Sequence, residues 1–270
     1  MKVPKTAAVA AVIGLALTAS GCGGDDGPEG NLAVGIKFDQ PGVGMREPDG
    51  TFTGFDVDVA TYVAKELGYK PNRITFKQVY SNDRELLIQY NEVQFVAASY
   101  SINDKRKEKV DFAGPYFLAH QDLMVRADDL TINRAEDLNS KRLCSVTGST
   151  SAENIKKNLA PKASLLELGG YSECLVALKD NLVDAMTTDN SILAGYTARK
   201  GNEGKFRLVG LNLSSENYGI GMKKGNTDLQ RKVNEALRKM VADGAWEAAV
   251  KKNFGEDYKY EPAPGITTGS

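Results

Sequence analysis

Apolar and polar positions along the chain follow two periods. Short apolar or alternating runs at 32–37, 74–79 and 95–99 have the length and β-branched content of strands. Between them, Phe55, Val59, Tyr62, Val63 and Leu67 fall at helical spacing and predict a helix over 55–67. Asn82 with Glu85 three residues on reads as a capping box that opens a helix through Tyr90. The pattern restarts after Asp122, with strands at 123–126, 143–146, 164–168, 185–188, 207–209 and 218–222. Helices are predicted from near Thr150, Tyr171 and Asn190, the first with Thr150 and Glu153 as a second capping box. Two more, over 227–241 and 245–252, are parted at Gly244. Strands and helices in alternation predict an α/β chain with mainly parallel sheets. A length of 270 residues allows two lobes, each with its own core.

The first residues follow neither period. Lys2 and Lys5 precede an unbroken run without charge from Ala7 to Leu17, and no acid occurs before Asp25, which is the layout of a secretory signal peptide. The run is too short to span a bilayer comfortably. Leu17-Thr18-Ala19-Ser20-Gly21-Cys22 resembles a bacterial lipoprotein signal, with cleavage after residues 1–21 and lipid added at Cys22, although Ala19 stands where leucine is commonest. The other reading is a plain secreted protein with an incidental cysteine. Acylation would hold the chain on the outer face of the membrane, each buried CH2 adding about 0.8 kcal/mol. Residues 22–30 are then a flexible tether. Cys144 and Cys174 remain, and an even remainder in an oxidising compartment suggests one disulfide, with two buried thiols as the alternative.

Composition removes several functions. Lys and Arg number 34 against 35 Asp and Glu, so the chain lacks the positive footprint of a nucleic-acid binder. The single histidine, His120, leaves His-rich metal sites and Ser-His or Cys-His pairs hard to build. No hydrolase elbow, zinc-protease or P-loop motif occurs, and Gly219-Ile220-Gly221 lacks the spacing of a dinucleotide fingerprint. No catalytic residue, metal or cofactor is therefore expected. In parallel sheets ligands bind beyond the carboxyl ends of the strands. Those positions hold Lys37, Ser81, Arg84, Ser99, Ser101 and Arg106, then Thr147-Gly148-Ser149-Thr150-Ser151, then Asp189. Singly each reads as an exposed charge or a helix cap. Together they offer cations and donors to carboxylates and one anion to an ammonium group.

Gly54-Phe55-Asp56-Val57-Asp58-Val59, continued by Val63, Ala64 and Leu67, resembles the signature of the bacterial extracellular solute-binding proteins, family 3, which capture amino acids for ABC importers. Agreement continues in Ser101-Ile102-Asn103-Asp104-Lys105-Arg106, Asp111-Phe112-Ala113-Gly114-Pro115-Tyr116 and Asp184-Ala185-Met186-Thr187-Thr188-Asp189. Lys37-Phe38-Asp39-Gln40-Pro41-Gly42 with Cys144-Ser145-Val146-Thr147-Gly148-Ser149-Thr150 is similar to glutamate-binding lipoproteins of actinobacteria, which also carry a cysteine pair at these places. The resemblance implies a two-lobed periplasmic-binding-protein-like clamshell that closes about a hinge. Lobe 1 would be 31–115 plus 219–270, lobe 2 would be 121–213, and the hinge crossings 116–120 and 214–218. It further implies a monomer on the extracytoplasmic face of the cell membrane that delivers its ligand to an ABC permease and its ATPase.

Position by position, the resemblance implies that Arg106 grips the α-carboxylate, with Thr150 and Ser151 completing its hydrogen bonds from the opposite lobe. Asp189, the Ser99 carbonyl and the Ser101 hydroxyl would hold the α-ammonium. Relatives that bind cationic or polar amino acids tend to have aspartate at the position of Lys37. Lys37, Arg84 and Arg106 against Asp189 alone leave a positive excess, suited to two carboxylates and one ammonium, with Ser81 a further donor to the distal carboxylate. The expected ligand is an acidic amino acid, glutamate ahead of aspartate. The alternatives are a receptor for glutamine or asparagine, a lyase on the same clamshell, and a receptor feeding a signalling partner. Asn91-Glu92-Val93-Gln94 departs from the glycine and acid common in relatives, and is expected to alter a turn only. His120 is expected to be solvated at the hinge and Trp246 to serve packing.

Overall fold

The computed structural model describes residues 30–268, together with Met1 and Pro28. The expected leader, Cys22 and most of the tether lie outside the described residues. The chain runs β1 (Leu32–Ile36), β2 (Asp39–Gln40), β3 (Gly44–Arg46), β4 (Phe52–Thr53), α1 (Phe55–Glu66), β5 (Ile74–Gln78), α2 (Arg84–Gln89), β6 (Phe95–Val96), α3 (Asp104–Lys107) and β7 (Val110–Arg126). It continues through β8 (Arg142–Val146), α4 (Thr150–Asn154), β9 (Ser164–Leu168), α5 (Tyr171–Lys179), β10 (Ala185–Asp189), α6 (Asn190–Ala198), β11 (Phe206–Leu208), β12 (Ser214–Lys223), α7 (Thr227–Ala242) and α8 (Ala245–Phe254).

Two lobes share one sheet, in the order β5-β1-β6-β12-β7-β10-β8-β9, with β11 also paired to β7. The flanks are parallel: β1 pairs with β5 and β6, and β8 with β9 and β10. The middle is antiparallel, because β7 and β12 pair with each other from Val110–Lys223 to Gln121–Ser214, with a register break between Tyr218 and Ile220. These two long strands carry the chain between the lobes.

Strand alternation divides the core between the two faces of the sheet. Val34, Ile36, Phe95 and Ala97 face a cluster built with Phe55, Val59, Val63, Leu237 and Trp246, whereas Val96 and Ala98 face Val79, Ile88, Tyr100 and Phe112. In the other lobe Met124, Cys144 and Met186 face one cluster, and Leu123, Val125, Leu143 and Ala185 face the other. Each fully buried Val, Leu, Ile or Phe contributes about 1.5–3 kcal/mol. Cys144 and Cys174 form a disulfide, Cα to Cα 5.5 Å, that ties β8 to α5. Trp246 is buried, its indole N–H donating to the Tyr116 carbonyl at 2.7 Å.

The structure corrects several sequence expectations. The strand expected over 123–126 is the end of β7, which begins at Val110, and β12 begins at Ser214 rather than 218. Neither expected capping box forms. Ser149, not Thr150, caps α4, its hydroxyl accepting from Ala152 N–H at 3.0 Å. The residue before α2 is Asp83, whose carboxylate turns back to Tyr80 N–H at 2.9 Å. The small antiparallel sheet β2-β3-β4 was not expected. Asn91 takes a left-handed backbone, φ 57, which accounts for a glycine serving equally well there. Gln94 accepts Ala33 N–H through its side-chain oxygen at 2.6 Å.

Candidate functional site

The cleft between the lobes is walled by loops that follow strands. Ser81 and Arg84 follow β5, Ser99 to Arg106 follow β6, Ser149 and Thr150 follow β8, and Asp189 ends β10. These side chains converge on a small cavity of about 10 Å³, bounded by Ser81, Arg84, Ser99, Arg106, Ser149, Thr150, Tyr171, Asp189 and Ile192. Outside Arg106 the cleft widens toward solvent between Asn103, Lys105 and Lys109 on one side and Ala152, Glu153 and Lys156 on the other.

The cations are organised by an aromatic ring. Tyr100 is buried, with the Arg84 guanidinium 4.0 Å and that of Arg106 5.1 Å from its ring centroid. Stacking of this kind favours arginine over lysine. Arg84 donates to the Ala98 carbonyl at 2.9 Å, while its Nε is buried without a partner among the described residues. Arg106 donates to the Ser101 carbonyl at 2.7 Å and, across the cleft, to the Gly148 carbonyl at 3.2 Å. Glu85 stands 3.9 Å from Arg106 Nε and accepts the Tyr100 hydroxyl at 2.8 Å. Burial, then the neighbouring Arg84, pushes Arg106 down to about 10.

Lys37 is 1% exposed and donates to Ser81 Oγ at 2.9 Å. Its ammonium has three protons to give and Ser81 is its one hydrogen-bond acceptor among the described residues. Burial and then Arg84 push it down to about 7. Asp189 accepts the Tyr218 hydroxyl at 2.5 Å; burial and then Glu216 push its carboxyl up to about 7. Each group is thus held away from its preferred charge state by desolvation, which an opposite charge in the cavity would offset.

Ser99 has a left-handed backbone, φ 42, an outlier of the sort that collects at binding sites. Its N–H donates to Asp56 Oδ2 at 2.7 Å, and the other Asp56 oxygen accepts the Tyr116 hydroxyl at 2.6 Å. Burial pushes Asp56 up to about 6 against these donors. The carboxylate therefore fixes the Ser99 turn to α1 and to β7.

Seven of the nine expected residues are brought together: Lys37 beside Ser81, then Arg84, Ser99, Arg106, Thr150 and Asp189. Ser101 and Ser151 sit differently. The Ser101 carbonyl is engaged by Arg106, and Ser101 pairs with Tyr218 of β12. Ser151 is buried, its hydroxyl without a partner among the described residues and its carbonyl accepting from Gln121 Nε2 at 3.3 Å. The Thr150 hydroxyl donates to Glu216 Oε2 at 2.9 Å. His120 is half-buried, its backbone N–H on Asn190 Oδ1 at 3.0 Å. The count of three cations against one anion needs revision, since Asp56, Glu85 and Glu216 also stand close to these cations. Tyr100, Asp56, Glu85 and Tyr218 were missed; a polar Asp56 beside buried Phe55 on the core-facing side of α1 was the one sequence signal available.

A two-lobed fold with paired cations, a carboxylate and helix-end donors converging between the lobes defines a receptor for a small zwitterion. The chain belongs to the bacterial extracellular solute-binding proteins, family 3, whose model matches residues 32–256. It is similar to the glutamate-binding protein GluB of Corynebacterium efficiens, at 42% identity over 96% of this chain and 94% of that protein. It is also similar to the ABC transporter glutamine-binding protein GlnH of Bacillus subtilis, at 36% identity over 84% of this chain and 82% of that one. Among solved structures, an ancestral arginine-binding protein bound to glutamine superposes with a TM-score of 0.78, at 35% identity over 85% of this chain and all of that one. The chain is accordingly an extracytoplasmic amino-acid-binding protein, and these relatives are binding proteins rather than enzymes.

Proposed function

We propose that this protein captures an acidic L-amino acid, glutamate first, by closure of its two lobes and presents it to an ABC permease and its ATPase. The observation that carries this reading is the pair of buried cations, Lys37 behind Ser81 and Arg84 on the cavity wall, with hydrogen-bond donors to spare. A side-chain carboxylate would add counter-charge for Lys37, whose burial Asp39 and Asp83 offset only in part, whereas a neutral amide would add none. Arg106 takes the α-carboxylate with the α4 N-terminus facing it, and Asp189 takes the ammonium. Ser99 and Ser101 assist on the ammonium side, and Ser81, Thr150 and Ser151 assist the carboxylates.

The lobes are 31–115 with 219–270 and 121–213, joined at 116–120 and 214–218. The division is supported by apolar clusters that draw on lobe 1 and the crossings or on lobe 2, with Val43 the buried exception. The mature protein is a monomer held on the outer face of the cell membrane by lipid at Cys22, a reading supported by the leader and its cysteine. The glutamine-binding relative favours glutamine as the second reading. Calorimetric titration with glutamate, aspartate, glutamine, asparagine and arginine decides between them: glutamate is expected to bind tightest, and tighter binding of glutamine overturns the assignment. Labelling with radioactive palmitate followed by Cys22→Ala tests the anchor, which is refuted by label that survives the substitution.

A further inference from the structure

Away from the cavity the lobes meet along a second line. Asp39, in β2, is buried, and its Oδ2 accepts Ser172 N–H at 3.1 Å and stands 3.4 Å from the Ser172 hydroxyl. Ser172 lies in the first turn of α5, where the helix dipole favours a carboxylate. The Asp39 carbonyl accepts the Tyr196 hydroxyl of α6. Val43 is buried in the apolar cluster of the opposite lobe with Met186, Leu193 and Tyr196. Two glycines permit this approach. A Cβ on Gly170 would lie 2.5 Å from Asp39 Oδ2, and one on Gly195 would lie 1.9 Å from the Pro41 carbonyl oxygen. None of Asp39, Gly170, Ser172 or Gly195 lines the cavity between Arg106 and Asp189.

We propose that the contact of residues 39–43 with α5 and α6 is a latch that sets how strongly the closed form is favoured, whichever amino acid is held. The proposal rests on binding by closure, as above. If the competent state is closed, apparent affinity scales with the closed fraction. Loosening the latch then weakens every ligand by one common factor, whereas a change in the cavity alters their ratio. Asp39 itself favours the charged form of Lys37, so a substitution there would mix the two effects. Gly195 separates them. It lies inside α6, where alanine is the better helix former, so Gly195→Ala leaves its own lobe intact and obstructs closure alone.

The test titrates the full chain, as wild type, Ser172→Ala and Gly195→Ala, with L-glutamate, L-aspartate and L-glutamine, and records small-angle scattering and ligand-free melting. Ser172→Ala is expected to weaken each ligand that the wild type binds by about two- to tenfold, the effect of one lost hydrogen bond. Gly195→Ala is expected to weaken each by about tenfold to a hundredfold, as for an overpacked contact. Ligand ratios stay those of the wild type, the ligand-free melting temperature of Gly195→Ala is no lower, and glutamate no longer contracts that variant at a concentration that contracts the wild type. Wild-type affinity in both variants, or a changed ratio between ligands, overturns the latch. So does early melting of Gly195→Ala, which would assign Gly195 to the packing of its own lobe. A wild-type preference for glutamine overturns the glutamate assignment alone, since the latch is judged on the common factor.

Discussion

Replacing Lys37 by methionine keeps the aliphatic length of the side chain and removes its charge, so it isolates what the buried ammonium does. In the ligand-free protein Lys37 is displaced from 10.5 to about 7, first by burial and then by Arg84. At about 1.4 kcal/mol for each tenfold change in proton affinity, this amounts to about 5 kcal/mol of destabilisation when the group is charged. The sign follows from proton uptake. Between pH 7 and 10.5 the unfolded chain binds the proton and the folded one does not, so stability rises with pH across that window and the full cost is present below it. Lys37→Met should therefore be more stable than the wild type at neutral pH without ligand, and should lose the rise between pH 7 and 10. Its glutamate affinity should fall by about 2–5 kcal/mol, the cost of truncating one member of a buried charge pair, while glutamine is affected far less. Thermal melts from pH 6 to 10 and parallel calorimetry with the two amino acids measure both effects. A variant that is less stable without ligand, or that keeps the wild-type preference between glutamate and glutamine, refutes the reasoning.

Asp189→Asn should act in the opposite pH window. The carboxyl of Asp189 is raised to about 7, so its contribution to ligand-free stability is complete below about pH 4 and is lost as pH rises through 7. The variant should flatten that decline in melts from pH 4 to 8 and bind all α-amino acids more weakly; an unchanged pH profile would count against a buried carboxylate there. Replacing Cys144 and Cys174 by serine opens a loop closed across a separation of 30 residues. The loss should be about 3 to 4 kcal/mol of stability in denaturant titration, and a loss below 1 kcal/mol would mean that packing alone holds α5 to β8.

Much of the fold was legible because its helices and flanking strands have one face in a core. The pattern of Phe55, Val59 and Val63 could belong only to a helix, and the period restarted with the second lobe. The long strands β7 and β12 gave no such signal. Residues Phe112 to Phe117 are all buried, so β7 shows no alternation, and Gly114-Pro115 reads locally as a break. The strands β2 to β4 are two or three residues each, too few to display a period. At the site, residue type and position after a strand were enough to mark Lys37, Arg84, Arg106 and Asp189. Which groups they answer to was not readable. Tyr100 stacks on two arginines from different segments, and Asp56 reaches Ser99 across 43 positions of sequence. Adjacent hydroxyls at Ser149 and Thr150 are equally able to cap a helix, and only the backbone path selects the first.

The continuous β7–β12 pair also fixes how the molecule can move. A two-stranded ribbon is stiff to stretching and to sliding, because its cross-strand hydrogen bonds hold spacing and register, yet it is compliant in bend and twist. Two bodies joined by such a spine behave like plates on a leaf spring, with the register break at Tyr218 and Ile220 as the place where curvature concentrates. A change of angle between the lobes that bends or twists this spine therefore leaves its backbone ladder paired.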